Sequence, residues 1–190
     1  MTDYSKKVRN YIDRERDVLS KLDENEISRV MNILEDARLG GHRVFICGNG
    51  GSAATASHFC ADFNKGVSEK QDIKYNFECL NDNVPMMTAV ANDISYDDIF
   101  EMPLKNKIKS KDVLIGISGS GNSENVVRAV RYANSIGAVT VGIVGYDGGR
   151  VKQEAECSIH VNIDNMQIVE DVHMMMDHVM MFILSGMELD

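Results

Sequence analysis

Apolar residues recur at helical spacing in two stretches at the start of the chain. Val8, Tyr11, Ile12, Val18, Leu19 and Leu22 mark the first; Ile27, Val30, Met31 and Leu34 mark the second, which stops at Leu39-Gly40-Gly41. From residue 43 the pattern changes. Short apolar runs at 43–47, 76–80, 113–118, 139–144 and 158–163 alternate with helix-like stretches at 53–64, 84–92, 122–136 and 149–154. Most of these runs are continuously apolar instead of alternating, as parallel strands require when helices cover both faces of their sheet. The order predicts an α/β fold, a doubly wound and mostly parallel five-stranded sheet with two leading helices. The last stretch, 166–187, sets Val169, Val172, Met176, Val179, Met180, Ile183 and Met187 along one side. It predicts a long closing helix whose methionines pack a core or a subunit contact.

No internal repeat, linker or composition shift divides the chain, so residues 1–190 read as one domain. The leading helices, within 1–40, precede the first strand and have no place in a βαβ unit. Each carries an apolar stripe that must be covered, and packing against other copies in a helical bundle would cover it. An oligomer is the expectation.

Charge narrows the partners. With 20 Lys and Arg against 29 Asp and Glu the formal charge is −9, a field that repels nucleic acid and acidic lipid. Neither nucleic acid nor a membrane is expected as a partner, and any anionic ligand must be held by local groups. The four cysteines form no C-x-x-C pair and read as buried, reduced thiols. The first residues lack the apolar run of a signal peptide, and no run reaches membrane-spanning length, so a cytoplasmic location is expected.

Two turns carry candidate chemistry. The first strand opens into Gly48-Asn49-Gly50-Gly51-Ser52, directly before a helix. Glycines admit an anion close to the backbone, and a helix start offers free N–H groups. The string fits G-x-G-x-x-A, the dinucleotide fingerprint, but the acidic residue expected about 20 positions on would fall before the second strand begins. No nucleotide cofactor is expected. The third strand opens into Ser118-Gly119-Ser120-Gly121-Asn122-Ser123, again before a helix. Ligands of doubly wound sheets sit beyond the strand carboxyl ends, so one phosphorylated ligand could touch both turns. Hydroxyl and backbone donors can hold a phosphate without Lys or Arg. A plain turn with an N-cap is the competing account of 118–123. A nucleophile elbow is excluded, because Ser120 stands where the last Gly of G-x-S-x-G is required.

Titratable residues fall in pairs. His58 and Asp62 are i, i+4 on the helix after the glycine turn. Glu170 and His178 lie eight apart, about 80° around a helix, and are read as able to converge. His173 and Asp177 form a further i, i+4 pair, taken as structural. Asp97, Asp98 and Asp171 are taken as solvated.

The strings CGNGGSAATASHF, AND at 91–93, GISGSGNS, GYDGG at 145–149 and the closing E-D-V-H-x4-H make the chain resemble the sugar isomerase (SIS) domain family. Within it the resemblance is to the phosphoheptose isomerases, over nearly the whole chain. It implies a homotetramer with sites between subunits. Ser118, Gly119, Ser120 and Ser123 would hold the phosphate of a sugar phosphate, while Asn49, Gly50, Gly51, Ser52, Asn92 and Asp93 would contact the sugar. Asp62, Glu170 and His178 would be catalytic, and His58, Asp62, Glu170 and His178 would hold zinc. Two positions depart from the family pattern: Asp62 stands where the family has Glu, and Glu170 where it has Gln. The implied reaction is aldose–ketose isomerisation, sedoheptulose 7-phosphate to D-glycero-D-manno-heptose 7-phosphate through an enediol, with Asp62 or Glu170 as base. Two alternatives remain: a non-catalytic SIS regulator resembling the replication-initiator-associating protein, and an isomerase of another sugar phosphate.

Overall fold

The computed structural model describes residues 2–188. Helices α1 (Ser5–Leu19) and α2 (Glu24–Leu39) lead into strand β1 (Val44–Gly48) and helix α3 (Gly51–Ala61). Strand β2 (Phe77–Cys79), α4 (Val84–Asp93), α5 (Glu101–Lys105), β3 (Val113–Ser118), α6 (Glu124–Ser135), β4 (Val139–Gly145), α7 (Gly149–Glu154), β5 (Cys157–Val161) and α8 (Met166–Leu184) follow. The five strands form one parallel sheet in the order β2-β1-β3-β4-β5. The predicted doubly wound sheet, leading helices and closing helix are all present.

The sheet is sandwiched. Val44, Ile46, Ile115, Ile117 and Ile143 face one way, against α2, α3 and α8, while Phe45, Cys47, Leu114 and Val144 face the other, against α4 to α7. Strands β1 and β3 are buried at every residue, which explains their unbroken apolar run. At β1 the chain direction of the winding reverses: β2 lies on one side and β3 on the other. The connections after β1 and β3 therefore diverge to opposite faces and leave a crevice at the strand carboxyl ends.

Caps fix several helix starts. Asp23, Asn83 and Asn165 each accept backbone N–H bonds at the first turns of α2, α4 and α8. Strand β5 ends at Val161, two residues before the predicted limit, where the Ile163 N–H turns back onto the Val161 carbonyl at 2.9 Å. After α3 the helix widens into one π turn, Asp62–Gly66. Short α5 has no counterpart in the apolar pattern, because five residues are too few for periodicity to register.

The leading helices differ. The stripe of α2, with Val30 and Leu34 fully buried, is covered by the sheet of its own chain. In α1 only Val18 is buried, whereas Val8, Tyr11 and Ile12 are exposed. All four cysteines are buried and free. Among the described residues no helix is long and apolar enough to cross a membrane.

Candidate active site

The two turns are tied together. Asn49 and Asn125, the latter in the first turn of α6, exchange side-chain amide bonds of 2.9 and 3.0 Å. The Tyr96 hydroxyl donates to Asn49 Oδ1 at 2.9 Å, and Asn81 braces the end of β1 through both the N–H and the carbonyl of Gly48. Sequence reasoning missed Asn81, Tyr96 and Asn125, since each is a lone polar residue outside any motif.

Ser123 occupies the N-cap position of α6 yet makes no side-chain cap bond. Its hydroxyl instead accepts from Ser118 Oγ at 3.2 Å. A plain capping turn does not account for that geometry, and the remaining donors and acceptors of the two hydroxyls are available to a ligand. The loop is held stiffly. Gly121, at φ +66°, packs so closely on Gly148 that an added Cβ would lie 2.0 Å from its carbonyl oxygen, and the Gly121 carbonyl accepts from Val151 N–H at 2.8 Å. Behind the loop Arg150 donates to the Asn122 carbonyl and to Glu124, and Arg128 donates to Glu124 and Asp98. These guanidiniums hold the Glu124 carboxyl below its usual range. Both cations flanking the cradle are thus engaged by carboxylates.

A cleft of about 410 Å³ opens outside this loop, lined by Ser120, Asn122, Tyr146, Asp147, Asn162 and Asp164. Its two carboxylates disfavour a phosphate there. Asn92 and Asp93 lie exposed at the end of α4, joined to one another by a 2.8 Å bond and not to either turn.

A second group forms where α3 meets α8. His58 Nε2 lies 3.0 Å from His178 Nε2, 3.6 Å from Asp62 Oδ2 and 4.0 Å from Asp177 Oδ2. One ligand atom from each of the four lies within 4.8 Å of all the others. Two nitrogens each 2.0 to 2.1 Å from one tetrahedral ion would be about 3.3 Å apart, so the spacing suits a metal. His58 and His178 are exposed on one side of the group, whereas the Asp177 side chain is fully buried. Among the described residues neither Asp177 oxygen has a hydrogen-bond partner. Burial, and next the charge of Asp62, push its carboxyl up to about 8. A charged carboxylate in that place costs on the order of several kcal/mol unless a cation offsets it. The residues therefore fit a divalent ion.

Within one chain the fourth side chain of this group is Asp177, whereas the sequence reading had grouped Glu170 with the other three. His58, Asp62 and His178 are brought together as that reading expected, but Glu170 stands apart. Its carboxylate lies on the first turn of α3: a Cβ on Gly51 would sit 2.5 Å from Glu170 Oε2 and 2.6 Å from Oε1. The angular offset of 80° was small, but eight residues of helix also rise about 12 Å. Within one chain that rise separates Glu170 from His178. The signal for Asp177 was an acid inside the run Met174-Met175-Met176-Asp177-His178-Val179-Met180, where burial is expensive. Its supposed partner His173 is also buried, and burial drives its imidazole down to about 4, so it is neutral.

The profile of the SIS domain matches residues 4–145, and the chain belongs to the SIS-domain family. Its relatives within that family are phosphoheptose isomerases. That of Clostridium acetobutylicum is 37% identical over 155 residues, covering 81% of this chain and 78% of the relative. That of Aliarcobacter butzleri is 30% identical over 164 residues, 86% of each chain. The solved phosphoheptose isomerase of Neisseria gonorrhoeae shares the fold, with a TM-score of 0.88 at 23% identity, covering 97% of this chain and all of the other.

Proposed function

We propose that the protein is an aldose–ketose isomerase that converts sedoheptulose 7-phosphate into D-glycero-D-manno-heptose 7-phosphate. The observation that carries this reading is that one chain holds both a neutral, hydroxyl-lined anion cradle beyond β3 and a two-His, two-Asp group where α3 meets α8. The relatives' names point the same way. Ser118, Gly119, Ser120 and Ser123 bind the phosphate, and Asn49, Gly50, Gly51, Ser52, Asn92 and Asp93 orient the sugar.

Isomerisation removes a proton from C1 of the ketose, passes through an enediol and returns a proton to C2, while the hydroxyl proton on O1 is lost and one is gained on O2. Asp62 or Glu170 takes the carbon-bound proton. His178 donates to the oxygen on which charge develops or, where it holds an ion, leaves that polarisation to the ion. His58, Asp62 and His178, with one further carboxylate, would hold a divalent ion; zinc suits this nitrogen and oxygen set and would polarise the carbonyl.

Seven residues of α3, about 10 Å of helix, separate Gly51 from His58. Glu170 on Gly51 and the His58–His178 group of the same chain are therefore too far apart to act on one carbon atom. In this reading two copies meet: one supplies the cradle and Glu170, the other the His/Asp group. The exposed stripe of α1 supports assembly into a homotetramer, and four free buried thiols suit a reducing cytoplasm.

Incubation with the ketose in heavy water tests the reaction. The expected result is the aldose carrying deuterium at C2. Saturable binding of heptose phosphate with neither aldose nor deuterium would establish the non-catalytic regulator instead, and turnover of a different phosphosugar alone would correct the substrate.

A further inference from the structure

We propose that Asp177 is a ligand of the metal ion, in place of residue 170, and that Glu170 is thereby left as the uncoordinated carboxylate that moves the carbon-bound proton. The inference rests on the isomerase reading for the role of Glu170, but not for the ligand set.

Three observations carry it. First, Asp177 is a fully buried carboxylate whose oxygens have no hydrogen-bond partner among the described residues, and its Oδ2 lies 4.0 Å from His58 Nε2, on the side where His178 Nε2 and Asp62 also point. A carboxylate is kept in such a place by a cation. Second, the charges balance. Two imidazoles and two carboxylates carry −2, which a divalent ion cancels; adding Glu170 would leave an unmatched negative charge. Third, Glu170 is held elsewhere. Its oxygens rest on Gly51, at the start of α3 and within the sugar-facing turn. Of the three carboxylates, Glu170 alone stands outside the group, against the sugar-facing turn. The metal site is then complete within one chain.

The test loads the full-length protein with cobalt(II) and with zinc. Affinity is read by competition with a chromogenic chelator, and ligand type by visible and near-ultraviolet absorption. D177N is expected to weaken binding by about 100-fold or more, since even indirect partners of a metal site cost 10- to 100-fold. E170Q is expected to leave affinity and cobalt spectrum unchanged while abolishing exchange of the carbon-bound proton. D177C guards against a misfolded D177N: it should retain cobalt and gain a thiolate-to-cobalt charge-transfer band. Unchanged affinity in D177N, no such band in D177C, or a loss in E170Q equal to that in D177N would overturn the ligand assignment. Full turnover by E170Q would transfer the proton step to Asp62. A wild-type protein that isomerises no sugar phosphate but shows the predicted metal pattern would remove the isomerase reading and the role of Glu170, and leave Asp177 as a ligand.

Discussion

The serine loop and the α3–α8 group are built by opposite means. The loop at 118–123 is assembled from neutral hydroxyls and backbone groups over six consecutive residues, and the arginines behind it are already paired. The group at His58, Asp62, Asp177 and His178 joins residues up to 120 positions apart and contains a buried carboxylate with nothing to bond. One half is satisfied in the free chain and only has to bind. The other holds an electrostatic cost that a cation and a substrate relieve, which is where reactive groups are expected.

That contrast can be broken by changing each half alone. His178→Gln should have the largest effect, about a 1,000-fold loss of kcat, within the range of acid–base catalysis. Calorimetric binding of sugar phosphate should persist, and equal loss of binding would show that the halves are not separate. Gly51→Ala drives a methyl into the Glu170 carboxylate, and a displacement near 1 Å costs about 100-fold in rate. The change should fall on kcat with KM nearly constant. Ser123→Ala removes one hydrogen bond to a charged phosphate, about 1.5 kcal/mol or roughly tenfold, and should fall on KM with kcat retained.

The smallest effect on activity is expected at His173. Its folded-state value of about 4 lies below the ordinary 6.5, so the unfolded chain binds the proton more readily between those limits. Stability from this group is present above pH 6.5 and is lost as the pH falls toward 4, at about 1.4 kcal/mol per pH unit. Urea unfolding at successive pH values should show that slope, and His173→Leu should flatten it while neutral-pH turnover stays unchanged.

The sequence carried local features well. Continuous apolar runs located the buried strands, and the two turns announced themselves because all their chemistry is contiguous. What it hid depends on long-range placement. Asn125 and Tyr96 secure Asn49 from 76 and 47 residues away, with no pattern around either. Glu170 was grouped with His178 from rotation alone, without the rise of the helix. Asp177 was set aside as a partner of His173, although an acid inside a methionine run asks for a compensating charge. The stripes of α1 and α2 looked alike, yet only α2 finds cover in its own chain.

Mixing two inactive variants tests most directly whether cradle and cluster serve one sugar from different copies. Glu170→Gln disables the copy that supplies the cradle, and His178→Gln disables the cluster. After dissociation and joint reassembly, confirmed as mixed oligomers by native mass spectrometry, the two together should recover turnover that neither shows alone. Verified mixed oligomers that remain inactive would contradict the account.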